Sequence, residues 1–251
     1  MVALAIAFFV TALLYAGVGF GGGSTYNALL ALAGVDYRIL PVVALACNIV
    51  VVAGATIRFA RERITPWKRA ALLVALAAPA AFAGGMVPIG EAAFLLTLGG
   101  SLLFAGAALL VPVSAERLAG PPARAALWVP VAAPALGFLA GLTGIGGGIF
   151  LAPLLHLVRW AEPRAVAATA SLFILVNSLS GLAGQLLKGG PDRLGAAAAF
   201  GLPLLLAVAI GGQIGSLLAA RHLPAAWLRY GTAILVLGVG IRLSLDVLAA
   251  R

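Results

Sequence analysis

The chain has 251 residues, of which 63% are apolar and only 9% charged, with a formal net charge of +9 and a mean hydropathy of +1.16. Soluble domains carry about 25% charged residues, so the composition excludes a water-soluble globular protein. It points to an all-α, polytopic integral membrane protein with room for about eight to ten membrane segments. The basic excess does not indicate nucleic acid, because the basic residues stand at the ends of apolar runs and form no patch interleaved with exposed aromatics.

The chain opens Met1-Val2-Ala3-Leu4, without the basic stretch of a signal peptide, and the run Val2 to Val18 reads as the first membrane segment. Gly17, Gly19, Gly21, Gly22 and Gly23 then interrupt it, and a short apolar piece follows from Ser24 to Ala33. Longer runs come next at Ile39 to Ile57, Ala70 to Gly90 and Ala92 to Val113, before a polar stretch with Glu116, Arg117, Pro121, Pro122 and Arg124. The order then recurs. Ala125 to Ala140 is a full run, Gly141, Gly144, Gly146, Gly147 and Gly148 break it, and a short piece reaches Val158. Runs at Ala165 to Leu187, Leu194 to Ala220 and Leu223 to Ile241 complete the chain.

This order is an internal repeat. Gly19, Gly21, Gly22, Gly23, Leu29 and Leu30 match Gly144, Gly146, Gly147, Gly148, Leu154 and Leu155 at one constant offset, and Gly84-Gly85 matches Gly211-Gly212 at nearly the same one. The expected organisation is a first transmembrane repeat over 1–113, a central loop over 114–124 and a second repeat over 125–251. The two short pieces are half-helices, since ten helical residues reach only ~15 Å. The dense basic loop with Arg58, Arg61, Arg63, Lys68 and Arg69 is expected in the cytoplasm. Inverted repeats are expected on the precedent of broken-helix transporters, although loop charge does not separate them from parallel ones. That choice turns on whether each glycine-broken pair crosses the membrane once or an even number of times.

The candidate site lies at the breaks. Ser24 and Thr25 follow Gly21, Gly22 and Gly23 at the start of a half-helix, and Gly146, Gly147 and Gly148 stand at the start of the other. The first N–H groups of a helix lack intrahelical partners, and the dipole places about half a positive charge there. Glycines let an anion approach that backbone closely. Two such starts meeting near the midplane would hold an anion without a formal cation; close helix packing is the competing use of the same glycines. Asn48 in the first half and Thr169, Ser171, Asn177, Ser178 and Ser180 in the second lie within apolar runs, so they face one another, the breaks or a ligand. The ligand-binding set is Gly21, Gly22, Gly23, Ser24, Thr25, Asn48, Gly146, Gly147, Gly148, Thr169, Ser171 and Asn177.

Asp36, Glu62, Glu91, Glu116, Glu162 and Asp192 fall in loops or at segment ends, and Asp246 is spaced to pair with Arg242. With no carboxylate in mid-membrane, a cation substrate is disfavoured. His156 reads as an interfacial residue and His222 as a loop residue. With Cys47 alone in an apolar run, no metal site and no cofactor are expected. Pro79, Pro88, Pro130, Pro134, Pro153 and Pro203 imply kinks. No Gly-Lys-Ser/Thr follows either glycine stretch, which excludes a phosphate loop.

On these residues the chain resembles the sulfite exporter TauE/SafE family over nearly its whole length. The resemblance rests on Gly-Phe-Gly-Gly-Gly at 19–23 and Gly-Ile-Gly-Gly-Gly at 144–148, on Ala46-Cys47-Asn48 and Thr169-Ala170-Ser171, and on the two glycine pairs. Cys47 departs from the small polar residue expected there. The resemblance implies a permease or exporter of sulfite, an organosulfonate or a related sulfur oxyanion. An anion channel is the alternative. An intramembrane serine enzyme using Ser24 and His156 is disfavoured, since no serine motif supports it. A multi-pass protein of a bacterial-type inner membrane is expected, with a small anion and lipid as partners, no nucleic acid, and a homodimer left open.

Overall fold

The computed structural model describes residues 1–18, 21–110, 124–218 and 225–249. Gly19, Phe20, most of the central loop and His222 lie outside these. Among the described residues all regular structure is helical. In chain order the helices are α1 (Val2–Val18), α2 (Gly23–Leu32), α3 (Leu40–Arg61), α4 (Trp67–Met86), α5 (Glu91–Leu110), α6 (Val129–Thr143, entered through a 3-10 turn at Arg124–Trp128) and α7 (Gly148–Leu157). One helical stretch, Pro163–Leu218, follows. It is broken at Gly190, where φ is 68° and ψ 172°, into spans α8 (Pro163–Gly190) and α9 (Arg193–Gly215). The last helix is α10 (Ala225–Ala249). Seven helices among the described residues are long and apolar enough to cross a membrane.

The boundaries follow local chemistry. α3 begins with Pro41 in its first turn, where a missing N–H costs nothing, and ends on Arg58 and Arg61, which complement the carbonyl end of the dipole. Not every proline kinks a helix, contrary to the sequence expectation. Pro88 falls in the link between α4 and α5, and Pro130 sits in the first turn of α6. The sharp break between α8 and α9 comes from Gly190, whose positive φ suits only a residue without Cβ.

Contacts between links order the helix ends. Arg164 meets Glu62 at 3.0 Å and Arg69 donates to the Trp160 carbonyl at 3.4 Å, so the α3–α4 and α7–α8 links share one end of the bundle, the basic end. Arg193 Nε donates to the Arg38 carbonyl at 2.7 Å and Lys188 Nζ to the Val87 carbonyl at 3.0 Å. The α2–α3, α4–α5 and α8–α9 links therefore gather at the opposite end. α3 and α8 run antiparallel through the centre: Gly181 faces Leu45, while Ala55 and Phe59 cluster with Ala168.

Glycine sets the closest helix contacts. A Cβ at Gly137 or Gly141 would strike the carbonyls of Ala77 and Ala81, which fixes α6 parallel to α4. Gly211 and Gly215 back in the same way onto the carbonyls of Phe9 and Leu13, which fixes α1 parallel to α9. Small residues allow this approach where lipid supplies no hydrophobic drive. α6 thus starts at the basic end and α7 finishes there. α1 starts at the opposite end and α2 finishes there. Each glycine-broken pair returns to the end from which it started.

Replacing Gly141 or Gly215 with valine forces backbone apart, and overpacking of this kind costs about 1–3 kcal/mol or more. The expected result is loss of monodisperse protein in detergent, or a clearly lower melting temperature. Gly54→Ala and Gly100→Ala, which meet nothing within 4 Å, should match or exceed the parent, since alanine is the better helix former.

Candidate functional site

The two breaks meet beside the midpoints of α3 and α8. Asn48, fully buried in α3, donates from Nδ2 to the Ile145 carbonyl in the second break at 3.2 Å. A Cβ at Gly21 would lie 2.7 Å from Asn48 Oδ1, and one at Gly146 would lie 2.7 Å from Asn48 Nδ2. A Cβ at Gly23 would strike both that amide and the Ile145 carbonyl. On the α8 side, Ile174 packs against Gly21, Gly146 and Gly148, and Ser178 Oγ faces Gly146. One amide therefore touches both breaks.

The glycines serve two purposes. In the second break the backbone itself demands them: Gly144, Gly146 and Gly147 have φ of 80°, 84° and 79°. In the first, the described glycines take ordinary φ and are required by space alone. Gly22, for example, leaves no room for a Cβ beside Thr11 and the Tyr26 ring. A bulky residue at Gly22 or Gly147 thus disturbs packing first, and Asn48 is the cleaner probe of ligand binding.

Neither α2 nor α7 has a side-chain cap at its start. Both starts are buried, with Ser24 2% and Thr25 5% exposed. Of the four N–H groups that a helix start leaves outside the regular ladder, Gly23 N–H is taken by the Gly21 carbonyl in α2 and Phe150 N–H by the Gly147 carbonyl in α7, and the rest offer donors and positive potential inside the protein. No Asp, Glu, Lys or Arg is among the buried residues described. Two polar atoms here have no hydrogen-bond partner within the protein, Asn48 Oδ1 and Ser178 Oγ. Burying such groups without partners is costly.

The remaining candidates separate. Thr25 is engaged by Tyr15 at 3.1 Å, and Tyr15 also bonds Thr232, a chain joining α2, α1 and α10. Thr169 bonds back to the Ala165 carbonyl at 2.8 Å, within its own helix. Ser171 and Asn177 are both fully buried on α8. Ile174 and Tyr15 are parts of the arrangement that sequence reasoning missed, whereas Ser178, expected to face its neighbours, the breaks or a ligand, faces Gly146. An aliphatic residue carries no polar signal, and only the spatial pairing of the halves reveals it. Ser24 and His156 cannot form a nucleophile–base pair: Gly148 lies near the breaks, and His156 is eight helical residues further on, ~12 Å along α7.

The sequence profile of the sulfite exporter TauE/SafE family matches residues 4–243. The chain belongs to this family. A probable membrane transporter protein of Sinorhizobium fredii is 36% identical over 96% of this chain and 97% of its own length. Sulfite exporter TauE/SafE family protein 1 of Arabidopsis thaliana is 38% identical over 48% of this chain and 25% of its own. A probable membrane transporter protein of Bacillus subtilis is 31% identical over 32% of this chain and 28% of its own. No solved structure matches significantly. Family membership and the seven long apolar helices make the protein a multi-pass membrane transporter rather than an enzyme.

Tyr15→Phe removes both hydroxyl bonds and strands two buried partners, at a cost of about 1–3 kcal/mol. The melting temperature in detergent should fall by several degrees. Tyr26→Phe deletes a buried hydroxyl that has no partner, and it should leave the melting temperature unchanged or raise it.

Proposed function

We propose that the protein exports a small anion, sulfite, an organosulfonate or a related sulfur oxyanion, by alternating access around the paired starts of α2 and α7. The observation that carries this reading is the junction of two buried, uncapped helix starts on one amide, Asn48. An oxyanion there accepts backbone N–H groups and meets the positive ends of two dipoles, the recurrent solution for anions at helix termini. Asn48 supplies a side-chain donor reaching both starts, and Ser24 and Ser178 supply hydroxyls. With no cation among the described buried residues, no formal charge holds the ligand, which favours release. The names of the Arabidopsis relative and of the family supply the sulfur oxyanion.

The halves are proposed to be inverted repeats. Each contributes one hairpin that returns to its own end and three spans, an odd number of crossings, so equivalent links emerge at opposite ends. The basic end, with Arg58, Arg61, Arg63, Lys68, Arg69, Arg159 and Arg164, is assigned to the cytoplasm of a bacterial-type inner membrane.

The test is thermal stabilisation in detergent across sulfite, sulfate, thiosulfate, sulfonates, carboxylates and chloride at equal ionic strength. Binding to the folded state alone adds about 2.7 kcal/mol at a hundred times Kd, so the cognate anion should raise the melting temperature by several degrees. Asn48→Ala opens the buried Ile145 carbonyl, so the unliganded protein should melt at a lower temperature, and the anion-induced shift measured from that lower baseline should be lost. A shift that survives Asn48→Ala would overturn the site, and a shift given only by carboxylates would overturn the substrate class. In proteoliposomes, saturable flux with counter-transport is expected, and flux that never saturates would make the protein a channel.

A further inference from the structure

At the end opposite the basic loops, three links close over a cavity of about 170 Å³, well above the ~10–15 Å³ that one water needs. Its wall includes Arg38, Lys188 and Arg193, and no carboxylate lines it. Asp36, Glu91 and Asp246 line a neighbouring groove, and Arg38 stands on the wall between the two, lining both. The remaining described cation near this end, Arg242, is paired with Asp246 at 3.7 Å. In the orientation proposed above this end faces outward, where Lys and Arg are depleted. Three cations around one cavity therefore call for a reason of their own.

Tying links together is an insufficient reason. Lys188 and Arg193 do hold the Val87 and Arg38 carbonyls, but neutral donors would serve those acceptors without bringing positive charge together. Lys188 uses one of three donors in its tie and keeps the others. The floor of the cavity is Pro41, Leu142 and Gln185, and Gln185 Nε2 donates to the Gly141 carbonyl at 3.0 Å. Leu142 stands two residues before Gly144, the first residue of the second break, and a Cβ at Gly144 would press on Pro41. The floor is thus the outer surface of the elements that carry the candidate site.

We propose that this cavity is an anion-collecting vestibule, a peripheral site where Arg38, Lys188 and Arg193 hold a small oxyanion between outside water and the starts of α2 and α7. The proposal rests on the anion-transport reading. Clefts lined by one sign of charge raise the local concentration and encounter rate of the opposite ion by tenfold or more. A vestibule on the exit side also receives the released anion, so its occupancy opposes or supports net export according to the outside concentration.

The test uses thiol labelling in proteoliposomes with this end outward. Ile89→Cys places a thiol on the cavity wall, and Pro88→Cys serves as a second position if the first fails to fold. Native Cys47 is fully buried, and the parent protein measures any background from it. A negatively charged thiosulfonate reagent should label either cysteine about tenfold faster, relative to a positively charged one, than it labels exposed Ala33→Cys in the adjacent link. Lys188→Gln with Arg38→Gln should bring that ratio down to the Ala33→Cys value, and methanesulfonate should slow labelling only when both cations are present. Equal ratios at wall and control positions, or a ratio unchanged by the double neutralisation, would overturn the vestibule. Labelling does not depend on flux, so a charge preference intact in a protein that moves no anion would sink the transport reading and leave the vestibule standing.

Discussion

Backbone without helical partners cannot face lipid, where each open N–H or C=O costs several kcal/mol. This constraint organises the molecule. Two stretches of unwound backbone lie at mid-depth, and both are enclosed between α3 and α8. Asn48 binds the Ile145 carbonyl across that enclosure and so satisfies an acceptor that would otherwise be open. Six further helices have places relative to this pair. α6 and α1 bring the breaks in, α7 and α2 carry the chain out, and α4 and α9 flank the incoming helices backbone against backbone, while α5 and α10 pack on each other through Gly99, Gly106 and Gly240.

The proposed anion site uses no buried charge. The Asn48 amide reaches both breaks and Ser178 Oγ faces Gly146, and each is a weak donor individually. A lysine or arginine there would bring a large desolvation cost in the unliganded protein. Partial charges avoid that cost and, under the proposed function, would leave binding shallow enough for release. Formal charges are kept at the ends of the bundle, where water screens them.

Much of this was legible in the sequence. Composition gave the membrane class, and the spacing of apolar runs gave α1 almost residue for residue. The doubled glycine break identified where the helices interrupt, and Asn48, an amide in an apolar run, was visible as an anomaly. The pairing was not. That Asn48 reaches the opposite break depends on the antiparallel arrangement of α3 and α8, and no local pattern encodes it. Nor do Ile145 and Ile174 differ in sequence terms from any lipid-facing isoleucine. Thr169 shows the ambiguity of a buried hydroxyl: from sequence it reads as a ligand, and in the structure it bonds the Ala165 carbonyl within its own helix. The prolines misled for a similar reason, since whether one bends a helix depends on its distance from the helix start.

The glycine seams have a consequence for biogenesis. A ribosome delivers the chain from its amino terminus, and α1 and α2 enter the membrane before any part of α9 or Ile145 has been made. The α6–α7 hairpin, by contrast, arrives to find α4 and α3 already inserted. The two hairpins are alike in the finished protein, but they have unequal histories. The amino-terminal one must wait with its surfaces open until the second half is threaded, and it is there that a stalled or truncated product presents unsealed backbone to the lipid and to the proteases that survey it.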